Sequence, residues 1–270
     1  MLGKEFVHLH LHTDYSLLDG ACQTSALVEH ALQQGMKALA VTDHGNLFSA
    51  VQFYQAATAR GLKPIIGCEA YISQRGRFLR DESDHYNHLV LLCANQKGYR
   101  NLIQLVSAGY LEGFYYKPRI DKDLLARHAE GLIGLSACLR GEVPEALQAD
   151  NMDEARRVAY QLQDIFGKGN FFLEMQDQGL EQEKRINPRL VELSQQTGIP
   201  LVATNDSHYL REEDAPAHDI LLCIQTGRTR SDAKRMRFAN NQFYVKSAEE
   251  MYRVFAEVPE IGRASCRERV

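Results

Sequence analysis

Short apolar runs recur along the chain, each followed by a stretch in which apolar and polar positions alternate at helical spacing. The runs at 6–12, 37–42, 64–72, 88–94, 131–137, 170–176 and 200–206 read as strands. Several are almost continuously hydrophobic, as expected of strands covered on both faces. Leu27, Val28, Ala31 and Leu32 mark the apolar stripe of a first helix, which ends at Gly35. Further helices are expected over about 47–60, 96–110, 151–166 and 181–197. Seven alternations of strand and helix predict an α/β fold on a parallel sheet, closed or nearly closed. A barrel of this kind carries its chemistry at the carboxyl ends of its strands.

The pattern changes after residue 210. The run Arg228-Thr-Arg-Ser-Asp-Ala-Lys-Arg-Met-Arg237 is basic. It reads as a solvated loop, with a phosphate or nucleic-acid contact as the alternative. Ser247-Ala-Glu-Glu250 reads as a capping box that opens a final helix. Residues 261–270 continue no helical period and resemble the translation of a sequencing adapter. They are expected to be a non-native tail, with the true frame cut near Glu260 and a longer natural chain. Cys266 is therefore set aside. The expected division is a barrel core at 1–210 and a C-terminal part of the same domain at 211–260.

Composition narrows the classes. The 270 residues are 44% hydrophobic, enough for one large domain or two ordinary ones. A net charge of -4 argues against a freestanding duplex-DNA binder. No apolar run approaches a membrane span, and Met1-Leu-Gly-Lys-Glu5 is no hydrophobic signal segment, so the cytoplasm is the expected compartment. The six cysteines, at 22, 68, 93, 138, 223 and 266, show no Cys-x-x-Cys spacing, and reduced thiols are expected.

The candidate chemistry starts at Phe6-Val-His-Leu-His-Leu-His-Thr-Asp14. On an extended strand His8, His10 and His12 share one face. One such histidine is a core or surface residue more often than a ligand. Three in a row suit the floor of a metal site, since neutral imidazole binds zinc and its neighbours. Other strands deliver ligand-type groups as well. His10, His12 and then Asp19 follow the first. Asp43 and His44 end the second, and Cys68 and Glu69 lie on the third. His85 and His88 open the fourth, Cys138 ends the fifth, and Asp206 and His208 end the seventh. The period of two places Asp206 and His208 on one face. His88 is the exception to the carboxyl-end rule, because it lies near the start of its run. Singly, these groups have bland readings: Asp43 or Asp206 as helix caps, Cys68 and Cys93 as core, Glu69 in a salt bridge. Together they suggest two or three ions of zinc, manganese or iron. Shared carboxylates would set them roughly 3.5–4 Å apart, a spacing suited to phosphoryl transfer.

These motifs resemble the PHP (polymerase and histidinol phosphatase) family, whose fold is a distorted seven-stranded (βα)7 TIM-like barrel. Residues 6–20, Thr42-Asp-His-Gly-Asn-Leu-Phe48, 61–71, Gly113-Phe-Tyr-Tyr-Lys-Pro-Arg-Ile120 and Ala203-Thr-Asn-Asp-Ser-His-Tyr209 are similar to the N-terminal domain of bacterial DNA polymerase III alpha subunits. The resemblance covers about residues 5–258 and implies polymerase regions beyond this chain. Carried over, the family's metal ligands fall on His10, His12, Asp19, His44, Glu69, His88, Cys138, Asp206 and His208, with Asp19, Glu69, Asp206 and His208 in catalytic roles. His8 becomes packing, His85 loop, and Asp43 a supporting partner or cap. Arg119 is a guess for gripping a nucleotide backbone at the mouth. The resemblance implies a metal-dependent phosphoesterase, a 3′–5′ exonuclease holding two or three divalent ions, zinc foremost with manganese or iron as alternatives. Its partners would be the single-stranded 3′ end of DNA, through the full-length polymerase, and other replicase subunits. Three alternatives stay open: a histidinol-phosphatase-like enzyme, a pyrophosphatase, and a metal-stabilised structural module that docks a separate proofreading subunit.

Overall fold

A computed structural model describes residues 5–81, 85–258 and 261. The expected tail beyond Ile261, with Cys266 and the frame boundary near Glu260, lies outside the described residues. The strands are β1 Ala38–Val41, β2 Lys63–Ser73, β3 Tyr86–Cys93, β4 Phe114–Tyr115, β5 Lys117–Ile120, β6 Leu132–Leu135, β7 Phe171–Gln176 and β8 Leu201–Thr204. The helices that cover them are α1 Thr24–Gln33, α2 Ala50–Thr58, α3 Gln96–Leu111, α4 Lys122–Arg127, α5 Glu142–Gln148, α6 Met152–Phe166, α7 Glu181–Thr197, α8 Ala215–Thr226 and α9 Ala248–Val254.

The main sheet runs β1-β2-β3-β6-β7-β8, with the β4–β5 hairpin added to the far half of β2. The 6–12 segment closes it. On one side Ala40 N donates to His8 O at 2.9 Å and Thr42 N to Leu11 O at 2.8 Å. On the other His12 N donates to Ser207 O at 2.8 Å. Seven staves thus form a distorted barrel, in which the expected first strand makes only an isolated bridge, Leu11 with Ser207. Part of its ladder is replaced by a side chain, because Leu11 N donates to Thr42 Oγ1 at 2.9 Å. Simple alternation fails here too: Leu9 packs with Ala40, Ile65, Val90 and Ile133 inside the barrel, whereas Leu11 packs with Leu27 and Val41 beneath the helices.

The sheet is not wholly parallel. β3 runs antiparallel to both β2 and β6, with Tyr71 opposite His88. This reversal explains the exception noted above. The start of β3 lies at the end where the parallel staves finish, so His88 meets the other groups from the beginning of its strand.

Outside the sheet, α1 and α2 bury Leu27, Val28, Phe53 and Ala57 in one cluster. A larger cluster under the remaining helices includes Leu102, Leu147, Leu162 and Leu190. The chain after residue 210 packs back onto the barrel: Tyr209 bridges Tyr244, Val245 joins the α1–α2 cluster, and Lys246 Nζ reaches Asn205 Oδ1 at 3.0 Å. Ser247 caps α9 reciprocally with Glu250. The basic run is an exposed loop whose Arg230 and Arg235 pair with Asp219. Short α4, α5 and α8 were not foreseen. They fill connections of about one to three turns, where hydrophobic period is a weak signal. No described helix is long and apolar enough to cross a membrane.

Candidate metal centre

Glu69, on β2, stands at the centre of the predicted groups. Its Oε1 lies 2.8 Å from His88 Nδ1, 3.4 Å from His10 Nε2 and 3.8 Å from Cys138 Sγ. Its Oε2 lies 2.6 Å from His44 Nδ1 and 3.6 Å from His12 Nε2. Asp206 Oδ1 faces the same two imidazoles, 3.2 Å from His10 Nε2 and 3.1 Å from His12 Nε2. Asp19 Oδ2 is 2.9 Å from His44 Nε2 and 4.0 Å from His208 Nε2. All nine residues carried over from the sequence therefore come together at one end of the barrel. His8 and His85 do not join them: His8 bonds Lys246 O and His85 pairs with Glu145 at an exposed edge.

Local backbone turns aim these groups. Asp206 (φ 46°), Ala137 before Cys138 (φ 63°) and Leu18 before Asp19 (φ 61°) adopt the left-handed region that most side chains avoid. The turn at Asp206, not strand alternation, brings its carbonyl within 2.8 Å of His208 Nδ1. Gly45 (φ 63°) follows His44, and a Cβ there would meet Pro118 Cγ at 2.7 Å and Tyr71 Cε2 at 2.9 Å. Only glycine lets the β4–β5 hairpin sit this close to His44.

Partners on the far side fix the imidazole tautomers. Glu174 Oε1 can only accept, so His10 Nδ1 donates to it at 2.7 Å. Ser16 Oγ donates to Asp43 at 2.7 Å and therefore accepts from His12 Nδ1 at 3.0 Å. Asp206 O accepts from His208 Nδ1. In His10, His12 and His208 alike, Nε2 is left facing the cluster, where it offers a lone pair once the ring is neutral. Asp43 thus acts through Ser16, and its other bonds, to Thr13 and Ser49, lock the loop. Glu174 was missed. The 170–176 run was the one stave credited with no ligand-type group, yet Glu174 and Gln176 sit two apart on it, and Gln176 Nε2 donates to Glu174 Oε1 at 2.9 Å. A carboxylate within an otherwise apolar strand was the available signal.

Arg119 corrects the guess about the mouth. It is 1% exposed, and its guanidinium donates to the carbonyls of Gly113 at 3.1 Å and Leu79 at 2.6 Å. From this buried position it ties the hairpin down.

Charges in the cluster act strongly on one another. Burial opposes the charge on His44, but Glu69 and Asp19 carry its pKa up to about 10. Burial likewise opposes His10, which Asp206, Glu174 and Glu69 hold well above the ordinary value. Burial, with His44 and His208 nearby, lowers His12 to about 4. Burial works to raise Glu69 and Asp206, but the imidazoles hold both carboxyls low. Burial, then Glu69 and Asp206, push the Cys138 thiol up. In this form protons supply the positive charge that the carboxylates require.

The fit to a metal is tested by the atoms left over. His10 Nε2, His12 Nε2, Asp19 Oδ1, His44 Nδ1, Glu69 Oε2 and Asp206 Oδ1 are buried without a well-aligned hydrogen bond, and five of them face one another at 2.6–3.6 Å across the cluster. They converge as ligands do: around a tetrahedral ion with bonds near 2.0–2.1 Å, ligand atoms stand about 3.3 Å apart. Among the described residues, three triads bring such atoms within 4.8 Å of one another: His12, His44 and His208; His10, His12 and Glu69; His44, Glu69 and His88. The donor set of imidazole, carboxylate and one sulfur suits zinc, manganese or iron.

Residues 8–178 match the family model described as the PHP domain. The chain belongs to the PHP family. This PHP domain is 50% identical over 266 residues to DNA polymerase III subunit alpha of Treponema pallidum, covering 97% of this chain and 23% of that protein. It is 47% identical over 260 residues to the subunit of the same name from Borreliella burgdorferi, covering 95% of this chain and again 23% of the relative. The chain thus spans about a quarter of the length of the curated relatives it matches. Its backbone overlays on an amidohydrolase from Chromobacterium violaceum at a TM-score of 0.49 and 15% identity, covering 75% of this chain and 87% of that one, a loose overlay that says nothing about chemistry.

Proposed function

We propose that this domain is a metal-dependent phosphoesterase within a replicative DNA polymerase, acting as a 3′–5′ exonuclease on a single-stranded DNA end. The observation that carries this reading is the set of six buried ligand-type atoms that converge around Glu69 without well-aligned hydrogen bonds. His10, His12, Asp19, His44, Glu69, His88, Cys138, Asp206 and His208 would hold two or three divalent ions, with zinc the best match to imidazole and thiolate, and manganese or iron as alternatives. Such ions, when bound, lower the pKa of water and neutralise charge on phosphoryl oxygens.

The chain's own residues supply the rest. Glu174 and Ser16 hold His10 and His12 with their Nε2 lone pairs toward the cluster. Glu69 has one oxygen toward His10, His88 and Cys138 and the other toward His12 and His44, so it joins the two halves of the site. Asp19 and His208, 4.0 Å apart, face each other on the side of the site that His44 shares with Asp19. In the reaction, water gives up a proton as its oxygen bonds to phosphorus, the bond from phosphorus to the leaving sugar oxygen breaks, and the leaving oxygen takes up that proton.

Elemental analysis of purified protein, paired with digestion of single-stranded DNA, tests the reading. Two or three bound ions with metal-dependent release of 3′-terminal nucleotides are expected. Bound metal with no digestion would replace the nuclease by a structural module or by a small phosphoester substrate. No metal under any loading condition would remove the ligand assignment itself.

A further inference from the structure

The cluster is rich in carboxylates and the chain carries a net charge of -4, so a polyanionic substrate needs cations placed locally. Most basic groups of this region are already engaged. Arg77 is held by Asp121 and Glu112, Lys122 by Glu142, and Arg119 by backbone carbonyls. Two differ. Lys117 Nζ lies 5.3 Å from the centre of the Tyr71 ring, and Arg140 Cζ lies 5.5 Å from the centre of the Tyr86 ring. Among the described residues neither has a carboxylate partner. An aromatic face orients a cation without neutralising it.

Tyr71 borders the metal centre, and Tyr86 lies behind it. Tyr71 stacks edge-on against His88 at 5.3 Å and lies 6.2 Å from His44. Tyr86 stacks edge-on against Tyr71 at 5.3 Å. The backbone agrees with the rings: Lys117 belongs to the hairpin that Gly45 admits beside His44, and Arg140 O accepts from His88 N at 3.0 Å. The hairpin and its surroundings also present exposed rings, with Phe114 49% and Tyr116 77% exposed, and Tyr110 between Phe48 and Phe114 at 6.3 and 6.1 Å. Uncommitted cations beside exposed aromatic rings are the combination that holds single strands, the cations taking phosphates and the rings stacking bases.

We infer that Lys117 and Arg140, seated on Tyr71 and Tyr86, form a phosphate clamp at the mouth of the metal centre that grips the backbone of a single-stranded nucleic acid. The inference rests on the proposed phosphoesterase reading for its biological sense, but its test is a binding measurement that needs no turnover. Fluorescence anisotropy of a labelled single-stranded oligonucleotide is followed with this chain across a salt series, for the wild type, the Lys117→Gln/Arg140→Gln variant and a Lys97→Gln/Lys168→Gln control. Circular dichroism confirms that each is folded. Loss of two phosphate contacts should make the slope of log affinity against log salt shallower by about 1.4, at about 0.7 per contact on single strands. The control slope should match the wild type. A clamp variant with the wild-type slope, a control that loses as much as the clamp variant, or a wild type that binds no oligonucleotide would each overturn the inference. Salt-dependent binding that is lost in the clamp variant, without cleavage by the wild type, would uphold the clamp and remove the nuclease reading.

Discussion

Two buried polar networks lie in this barrel, and they are built on opposite terms. Around Glu69, buried imidazole and carboxylate atoms converge on one another without well-aligned hydrogen bonds. Around Asp121, each group finds one. Arg77 donates from Nη1 to both Asp121 oxygens, at 3.1 and 2.9 Å, and from Nε to Glu112 at 2.7 Å. Asp121 also accepts from Leu124 N at 2.9 Å, capping α4. Arg119 closes the knot through the carbonyls of Gly113 and Leu79. Satisfied polar networks fasten chain segments together, whereas an unsatisfied one is stable only with something else in it. The contrast separates architecture from binding without reference to any relative.

The largest effect that would sharpen this contrast is expected at Glu69. Glu69→Gln keeps the shape but removes the charge shared by both halves of the cluster. Metal content should fall, and hydrolysis of single-stranded DNA should drop by more than about 100-fold, since even outer partners of ligands are commonly worth 10–100-fold. Asp206→Ala and His12→Ala should behave alike, with the fold retained. Undiminished metal-dependent nuclease activity in these variants would refute the assignment.

The opposite signature is expected in the other network. Asp121→Ala leaves Arg77 with one carboxylate and α4 without its cap. Removing one partner of a buried pair is costly, and a loss of about 3 kcal/mol in denaturant-measured stability is expected. Metal content per folded molecule should not change. If Asp121→Ala sheds metal as readily as Glu69→Gln, the two networks are not separable.

His8 tests how far the rule of orphaned atoms extends. Its Nδ1 is buried without a partner, like the nitrogens of the site, but its Nε2 donates to Lys246 O at 2.8 Å and no carboxylate faces it closely. Burial, with Lys246 and His30 nearby, lowers its pKa from 6.5 to about 4. A histidine depressed on folding contributes stability that is complete above the unfolded value of about 6.5. That contribution is lost as pH falls toward 4, because the unfolded chain takes up the proton first. About 3 kcal/mol should disappear over this window in the metal-free protein, at about 1.4 kcal/mol per pKa unit. Unfolding curves of the wild type and His8→Gln at pH 7 and 4.5 would measure it. The variant should lose distinctly less stability between those pH values, and equal losses would show that His8 is not the titrating group.

Much of this arrangement was legible in the chain, and the exceptions have physical causes. Seven apolar runs correspond to seven staves because burial on both faces leaves an unmistakable mark. The direction of β3 was not readable, since a hydrophobic run carries no arrow, and His88 therefore looked misplaced until its neighbours were known. Arg119 was misread because a motif cannot say whether a guanidinium faces solvent or the carbonyls of Gly113 and Leu79. His10 and His12 stood out as histidines in a row, while Glu174, the partner of His10 on another stave, is a single carboxylate in Phe171-Phe-Leu-Glu-Met-Gln176.

Glu174 gives the smallest and most discriminating effect. It lies outside the convergent set, and its bond to His10 Nδ1 at 2.7 Å keeps the ring in one tautomer and orientation. Thr204 Oγ1 and Gln176 Nε2 hold the same carboxylate oxygen in turn. Glu174→Gln keeps an acceptor at that position but removes the charge that makes His10 a stronger donor to a cation. Metal affinity should weaken by about 10–100-fold, so the variant should recover nuclease activity when metal is added in excess, which Glu69→Gln should not. Titration of activity against metal concentration separates the two cases. A shifted midpoint with a restored plateau marks a residue that acts through His10. A lowered plateau at saturating metal would instead place Glu174 among the groups that touch the reacting phosphate, and the boundary drawn here between the converging atoms and the shell that aims them would have to move outward by one residue.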